Sequence, residues 1–275
     1  MRKNLPIILI GLAFLGVAVG LWQATGNFFY FLNFAYIGGS LTAGIALFSR
    51  GWKWARHFTQ LAVGLYMLIY LGLIERENMQ IEGLWYFLAL GVFSGPVIHY
   101  AVAKVFGPLL FGRGWCGYAC WTAMVLDLLP YKTRQTPRRH WEPAGYVIFA
   151  GSIAFVAAVL TLAPEESPKI IFAAFIIGNL AYYLVGTILA LALKDNRAFC
   201  KYLCPVAVII RLPARFAKIR VRFEENRCVG CHACERACPM DVNMRSNDRG
   251  RLRGNECILC GECAKVCPKE ALTIK

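Results

Sequence analysis

The chain has 275 residues, of which 58% are hydrophobic and 17% charged, and it carries a formal charge of +14 and twelve cysteines. Soluble globular chains are about 45–50% apolar and about 25% charged, so an ordinary cytosolic enzyme and a disordered chain are both excluded and membrane spans are indicated. Disulfide frameworks belong to short secreted domains, so the cysteines of a chain this long and apolar need another use.

In chain order, apolar runs of spanning length occur six times, at roughly 5–23, 28–48, 58–74, 84–106, 145–163 and 170–193. About 20 apolar residues at about 1.5 Å rise cross the hydrocarbon of a bilayer. The third run is the shortest and the fourth is interrupted by Ser94-Gly95-Pro96, so the count lies between five and seven, with six preferred. Loop charge orients the spans. Arg2 and Lys3 precede the first, and Arg50, Lys53 and Arg56 divide the second from the third. Arg113, Lys132, Arg134, Arg138 and Arg139 follow the fourth, and Lys194, Arg197 and Lys201 follow the sixth. The alternate loops hold Glu75, Glu77, Glu82, Glu165 and Glu166 with few cations. Lys/Arg-rich loops stay cytoplasmic, so six spans with both termini inside satisfy every loop. The apolar start is longer than a signal-peptide core and shows no sharp cleavage site, which favours an uncleaved anchor.

Residues 206–219 read as an interfacial segment with Arg211, Arg215 and Lys218 spaced through it. A short alternating strand at 218–223 leads into an internal repeat about 29 residues long. Its units are Cys228-x2-Cys231-x2-Cys234-x3-Cys238-Pro239 and Cys257-x2-Cys260-x2-Cys263-x3-Cys267-Pro268, and a strand-like 271–275 closes the chain. Three thiolates on a tight loop cap three irons of a cubane, and the fourth cysteine of such a run ligates the other cluster. This assigns Cys228, Cys231, Cys234 and Cys267 to one [4Fe–4S] cluster and Cys257, Cys260, Cys263 and Cys238 to a second. Structural zinc takes pairs of C-x2–4-C, and disulfides are disfavoured in a reducing compartment. Cys228-Val-Gly-Cys231-His232 also fits the c-type haem motif, but haem attachment there would destroy the cluster.

Four cysteines remain, in two C-x3-C pairs, Cys116 with Cys120 and Cys200 with Cys204, both on the expected cytoplasmic face. On a helix, residues i and i+4 share a face, so each pair could present two sulfurs to one partner. Three readings stay open: a third metal or cluster site, redox-active dithiols, or thiols that only pack. The fold class is therefore a membrane α-helical bundle of about six spans with a C-terminal α+β bacterial two-cluster ferredoxin domain. Its expected parts are a transmembrane region at 1–199, a C-x3-C-P motif and basic linker at 200–222, and the ferredoxin at 223–275.

The two C-x3-C pairs at the ends of spans, the Cys200-x3-Cys204-Pro205 leading to a basic linker, and the C-terminal two-cluster module together resemble the NapH-type membrane ferredoxins and related polyferredoxins. The sequence departs from that pattern at Trp121, where the family usually has proline after the cysteine, and in having more spans than typical members. The resemblance implies quinol dehydrogenation, or electron passage between the quinone pool and other subunits of a membrane redox complex. It also implies a multi-pass protein of a bacterial- or archaeal-type cytoplasmic (inner) membrane, with the ferredoxin on the cytoplasmic side. His99, inside a span beside Pro96, is the candidate quinone contact, with a purely structural hydrogen bond as the competing reading. Asp127 is a lesser proton-relay candidate. Haem b would need His57 and His99 together and is disfavoured. An assembly or redox-sensing factor for a metalloenzyme, or an anchor for other redox subunits, are the alternative functions. Nucleic acid is excluded as a partner because the basic residues follow the membrane-side rule rather than forming one stripe.

Overall fold

The computed structural model describes residues 5–133, 140–141, 143–245 and 256–274, so Arg2, Lys3, Arg134, Arg138 and Arg139 of the charge argument lie outside the described residues. Among the described residues, five helices are long and apolar enough to cross a membrane. The first two, α1 (Leu5–Thr25) and α2 (Phe28–Ser49), form an antiparallel hairpin. Asn27 caps α2 by accepting a hydrogen bond from the Phe29 amide at 2.9 Å. Gly38 lets the pair approach so closely that a Cβ there would stand 2.3 Å from that of Phe14. The third, α3 (Ala55–Leu65), widens into a π-helix over Tyr66–Ile74.

The run at 84–106, expected as the fourth span, is not one helix. Helix α4 (Ile81–Ala89) ends at a turn in which Gly91 takes φ +68°, and α5 (Gly95–Tyr100) starts afresh with Pro96 in its first turn. Proline lacks the amide that a helix interior needs but suits a first turn, so Ser94-Gly95-Pro96 restarts the helix instead of kinking it. A π-helical stretch, Ala101–Phe106, joins α5 to α6 (Gly107–Phe111), giving a shorter apolar helix over Gly95–Phe111. Two short helices follow, α7 (Gly114–Tyr118) and α8 (Trp121–Leu126), and then the last long ones, α9 (Pro143–Leu162) and α10 (Ser167–Leu193). Asn78 donates to the Ile171 carbonyl of α10 at 2.9 Å, and Gln80 lies against Gly178. The chain after α3 therefore dips back into the bundle before α4 runs outward to Ser167, which Tyr86 meets at 3.2 Å.

Beyond α11 (Ala198–Tyr202), α12 (Val206–Ala214) buries Ala207, Ile210, Arg211 and Ala214 against the bundle and leaves Leu212 exposed, as is Phe216 just past its end. The C-terminal module pairs β1 (Val221–Phe223) with β2 (Leu272–Ile274) antiparallel, Arg222 opposite Thr273. Between them lie single-turn helices α13 (Ala233–Arg236) and α14 (Glu262–Lys265). The backbone repeats with the sequence: positive φ recurs at Gly230 and Leu259, at His232 and Gly261, and at Asp241 and Glu270. The module is seated on one end of the bundle. Tyr118 donates to the Leu259 carbonyl at 3.0 Å, a Cβ on Gly117 would come 2.3 Å from the Ile258 oxygen, and Phe48 at the end of α2 meets Gly261.

Candidate metal centres

In the module, Cys228, Cys231, Cys234 and Cys267 line one cavity, here the outer set, and Cys238, Cys257, Cys260 and Cys263 line another, the inner set. Each cavity takes three cysteines from one run and one from the other. The left-handed backbone positions turn successive amides toward sulfur, as in anion-binding nests. The Gly230 amide donates to Cys228 Sγ at 3.4 Å, Val242 to Cys238 Sγ at 3.4 Å, and Ala271 to Cys267 Sγ at 3.2 Å. Holding His232 and Leu259 at positive φ costs about 1–2 kcal/mol each, strain of a kind that gathers at functional sites. Burial pushes the Cys238 thiol up to about 11 and Cys257 up to about 12, so both stay protonated unless a metal displaces the proton. Cys238, Cys260 and Cys263 are buried, whereas Cys231 is exposed.

The C-x3-C pairs form a membrane-face set. Contrary to the expectation of one helix face per pair, the helix breaks between the two cysteines. Cys116 lies on α7, while Cys120 is extended (φ −78°, ψ 120°) and starts α8. Likewise Cys200 lies on α11 and Cys204 follows it in the turn before α12. The break lets the second sulfur turn back, and the four thiols come within electrostatic reach of one another. Burial pushes Cys200 up to about 12 and Cys204 up to about 11, and raises Cys120 as well. Cys116 and Cys200 pack in one cluster with Cys238, Cys260 and Cys263 of the inner set. Among the described residues no three His, Cys, Asp or Glu side chains gather tightly enough for a single metal ion. The outer and inner sets each line a cavity of their own, an arrangement that suits a cubane held by four thiolates.

A second internal repeat, missed in the reading of the sequence, explains the arrangement. Arg113-x-Trp115-Cys116-x-Tyr118-x-Cys120 matches Arg197-x-Phe199-Cys200-x-Tyr202-x-Cys204. The arginines are exchanged between the units: Arg113 Nη2 donates to the Cys200 carbonyl at 3.2 Å, and Arg197 Nη1 to the Cys116 carbonyl at 3.1 Å. Both side chains are 1% exposed, so these loop charges are interior groups. Lys104, from the expected fourth span, is also buried, with Nζ 5.1 Å from the centroid of a Trp115 ring. Asp127 accepts from Arg197 Nε at 2.6 Å, from Gln60 at 3.1 Å, and from Arg56. Burial alone would raise its carboxyl, but the two guanidiniums outweigh burial and hold it well below the usual range, which removes it as a proton relay near neutral pH. Glu256 accepts from Arg211 at 2.8 Å and stands 3.7 Å from Arg113. Among the described residues no carboxylate pairs with Lys104, so six cations (Lys104, Arg113, Arg197, Arg56, Arg211 and Lys201) face four carboxylates (Asp127, Glu256, Asp195 and Asp241) in the region of the four thiols.

His99 is buried between two tryptophans that flank the first pair, with ring centroids 5.6 Å from Trp115 and 6.3 Å from Trp121. His57 packs instead on Trp54, so the two histidines of the haem reading lie against different tryptophans. Trp121, the departure from the family pattern, donates to Asn179 of α10 at 2.7 Å and so ties the pair to the bundle.

A family profile described as a 4Fe-4S dicluster domain matches residues 227–272. One described as a 4Fe-4S binding domain matches 84–139 and again 170–224, each match containing one C-x3-C pair. An uncharacterized protein of Methanocaldococcus jannaschii is 30% identical over 140 residues, covering 48% of this chain and 54% of the relative. The methylamine utilization ferredoxin-type protein MauN of Methylobacillus flagellatus is 27% identical over 226 residues, covering 70% of this chain and 78% of the relative. The chain thus spans about half the length of the first relative and over three quarters of the second. No solved structure matches. The chain therefore carries 4Fe–4S ferredoxin-type domains beside helices apolar enough to cross a membrane.

Proposed function

We propose that the chain is a membrane-bound, quinone-linked electron-transfer subunit of NapH type, with three four-cysteine centres in series. The order runs from the membrane-face set through the inner set to the outer set, beneath the exposed Cys231 where a soluble partner can approach. The observation that carries the third centre is the buried excess of positive charge around Cys116, Cys120, Cys200 and Cys204. An unpaired buried ion costs several kcal/mol, and four neutral thiols offset none of that. Four thiolates on a [4Fe–4S] cluster supply the missing negative charge, whereas inert or dithiol cysteines at raised pKa do not.

Bound clusters would supply one-electron exchange at each set. The chain's own residues do the rest. Arg113 and Arg197 lock the two pairs by reciprocal bonds to the cysteine carbonyls, and with Lys104 they favour the more negative, reduced state. Gly117 lets the Ile258 loop, which carries Cys257 and Cys260, sit directly on α7. The basic loop residues Lys53 and Arg56 lie at the module's end of the bundle, which supports a cytoplasmic module by the positive-inside rule.

Iron and acid-labile sulfide per chain test this reading. About twelve iron are expected, falling to about eight in Cys200→Ser, with one signal lost from the EPR spectrum of the reduced protein. About eight iron in both proteins would remove the third centre.

A further inference from the structure

A cavity of about 330 Å³ lies inside the bundle between α1, α2, α3 and α5. Its base is closed by His99 and Trp115, the residue before Cys116, and its mouth is framed by Asn27, Glu75 and Glu77 at the end away from the module. Asn33, His99 and Trp115 are only 9%, 7% and 4% exposed, yet Asn33 Oδ1, His99 Nε2 and Trp115 Nε1 have no hydrogen-bond partner among the described residues. Three buried polar atoms left open toward one cavity are costly unless a ligand meets them. Both π-helical stretches border this space, through Met67 and Leu71 on one side and Val102 and Ala103 on the other. Such widened turns recur at functional sites.

The remaining walls are apolar and aromatic, including Phe14, Phe34 and Ile37. Phe29 is shared with an open groove on the outside of the bundle, lined by Leu32, Tyr36, Leu65, Tyr66 and Tyr70. A compact ring with oxygens that donate and accept, attached to an apolar tail, fits the pair of spaces.

Resting on the quinone-linked reading above, we propose that the cavity takes the hydroquinone head of a lipid-borne carrier, its tail in the Phe29–Tyr66 groove, and that the protons leave past Glu77 at the end opposite the module. Each hydroquinone loses two electrons and two protons as its two O–H bonds break and two C=O bonds form. The hydroxyl at the base gives its proton to His99 Nε2, and the hydroxyl toward the mouth gives its proton to Glu77. The electrons leave singly past Trp115 to the Cys116–Cys204 centre, the oxidant. Electrons thus depart at one end of the bundle and protons at the other.

The test uses the full, cluster-loaded chain in liposomes enclosing a pH-sensitive dye, with decylubiquinol as donor and external ferricyanide, which does not cross the bilayer, as acceptor from outward-facing modules. The expected result is acidification of the lumen, with two protons per decylubiquinol oxidised. His99→Gln and Asn33→Leu should each raise the decylubiquinol KM about tenfold at unchanged iron content. Ala103→Phe, which fills the cavity, should abolish reduction by decylubiquinol while dithionite still reduces every cluster. Glu77→Gln should slow lumenal acidification more than it raises KM. Acid appearing only outside would overturn the proton route, and unchanged KM values in all three cavity variants would overturn the placement while leaving a quinone-linked role standing. If neither decylubiquinol nor menadiol reduces the wild-type clusters and dithionite does, both the placement and the reading beneath it fail.

Discussion

The C-terminal module and the membrane-face set both gather four cysteines, but by different means. In the module the backbone does it: positive φ at Gly230, His232, Leu259 and Gly261 turns loop amides toward sulfur. At the membrane face the Ala123 and Ala207 amides also turn to Cys120 and Cys204, at the starts of α8 and α12, and the Arg197 guanidinium meets Cys200 Sγ at 3.8 Å. Side chains add to them there, and buried Lys104, Arg113 and Arg197 supply a positive field. Both regions give backbone donors to sulfur, and only the membrane face adds buried cations beside its thiols.

The comparison is broken most directly at a ligand. Cys263→Ala should remove the inner cluster and with it the module's fold and the outer cluster, about eight iron in all, since a two-stranded sheet is marginal alone. If the proposed membrane-face centre is built separately from the module, it keeps about four iron and its EPR signal. Loss of all iron would show that the membrane-face set depends on the module.

The next largest effect falls on the cations. Arg197→Leu leaves buried Asp127 with Arg56 and the neutral donor Gln60, and should destabilise the bundle by about 3–5 kcal/mol, read as a lowered unfolding midpoint in detergent. Arg113→Leu should cost less, because Glu256 keeps Arg211. Equal losses would mean that the field at the thiols, common to both arginines, matters more than the individual ion pairs.

These two regions were also unequally legible in the sequence. The module's cysteine spacing is local, and its chemistry follows from counting. The interruption at Ser94-Gly95-Pro96 was visible too, although the single run at 84–106 became α4 and a separate helix from Gly95. The membrane-face charges were not legible as site residues. Arg113 and Arg197 satisfied the loop-charge rule so well that their burial went unsuspected, and Lys104 inside an apolar run was passed over. Burial depends on which helices meet, which hydropathy does not report. The repeated Arg-x-aromatic-Cys was the available signal, because a cation at a fixed offset from each pair is a property of a site rather than of a loop.

Smaller changes address the seam between the regions. Gly117→Ala should assemble with its full iron complement but push the Ile258 loop away, because the new Cβ would lie 2.3 Å from a backbone oxygen that cannot swing aside as a side chain would. A cost of about 1–3 kcal/mol is expected from such overpacking, with slower electron passage from the membrane-face set to the module in stopped-flow reduction.

Tyr118→Phe should be milder still. It removes one donor and leaves the Leu259 carbonyl without that partner, a loss of about 0.5–1.5 kcal/mol. Leu259 holds positive φ beside Cys260, so this bond also helps to keep a strained residue in place. The two substitutions are adjacent and act on the same loop, so their effects should not add. Once Gly117→Ala has displaced the loop, the Tyr118 bond is already lost, and the double variant should unfold close to where Gly117→Ala does. Strict additivity would mean that the displaced loop keeps the Tyr118 bond, and the seam would then be a hinge about Leu259 rather than a rigid contact.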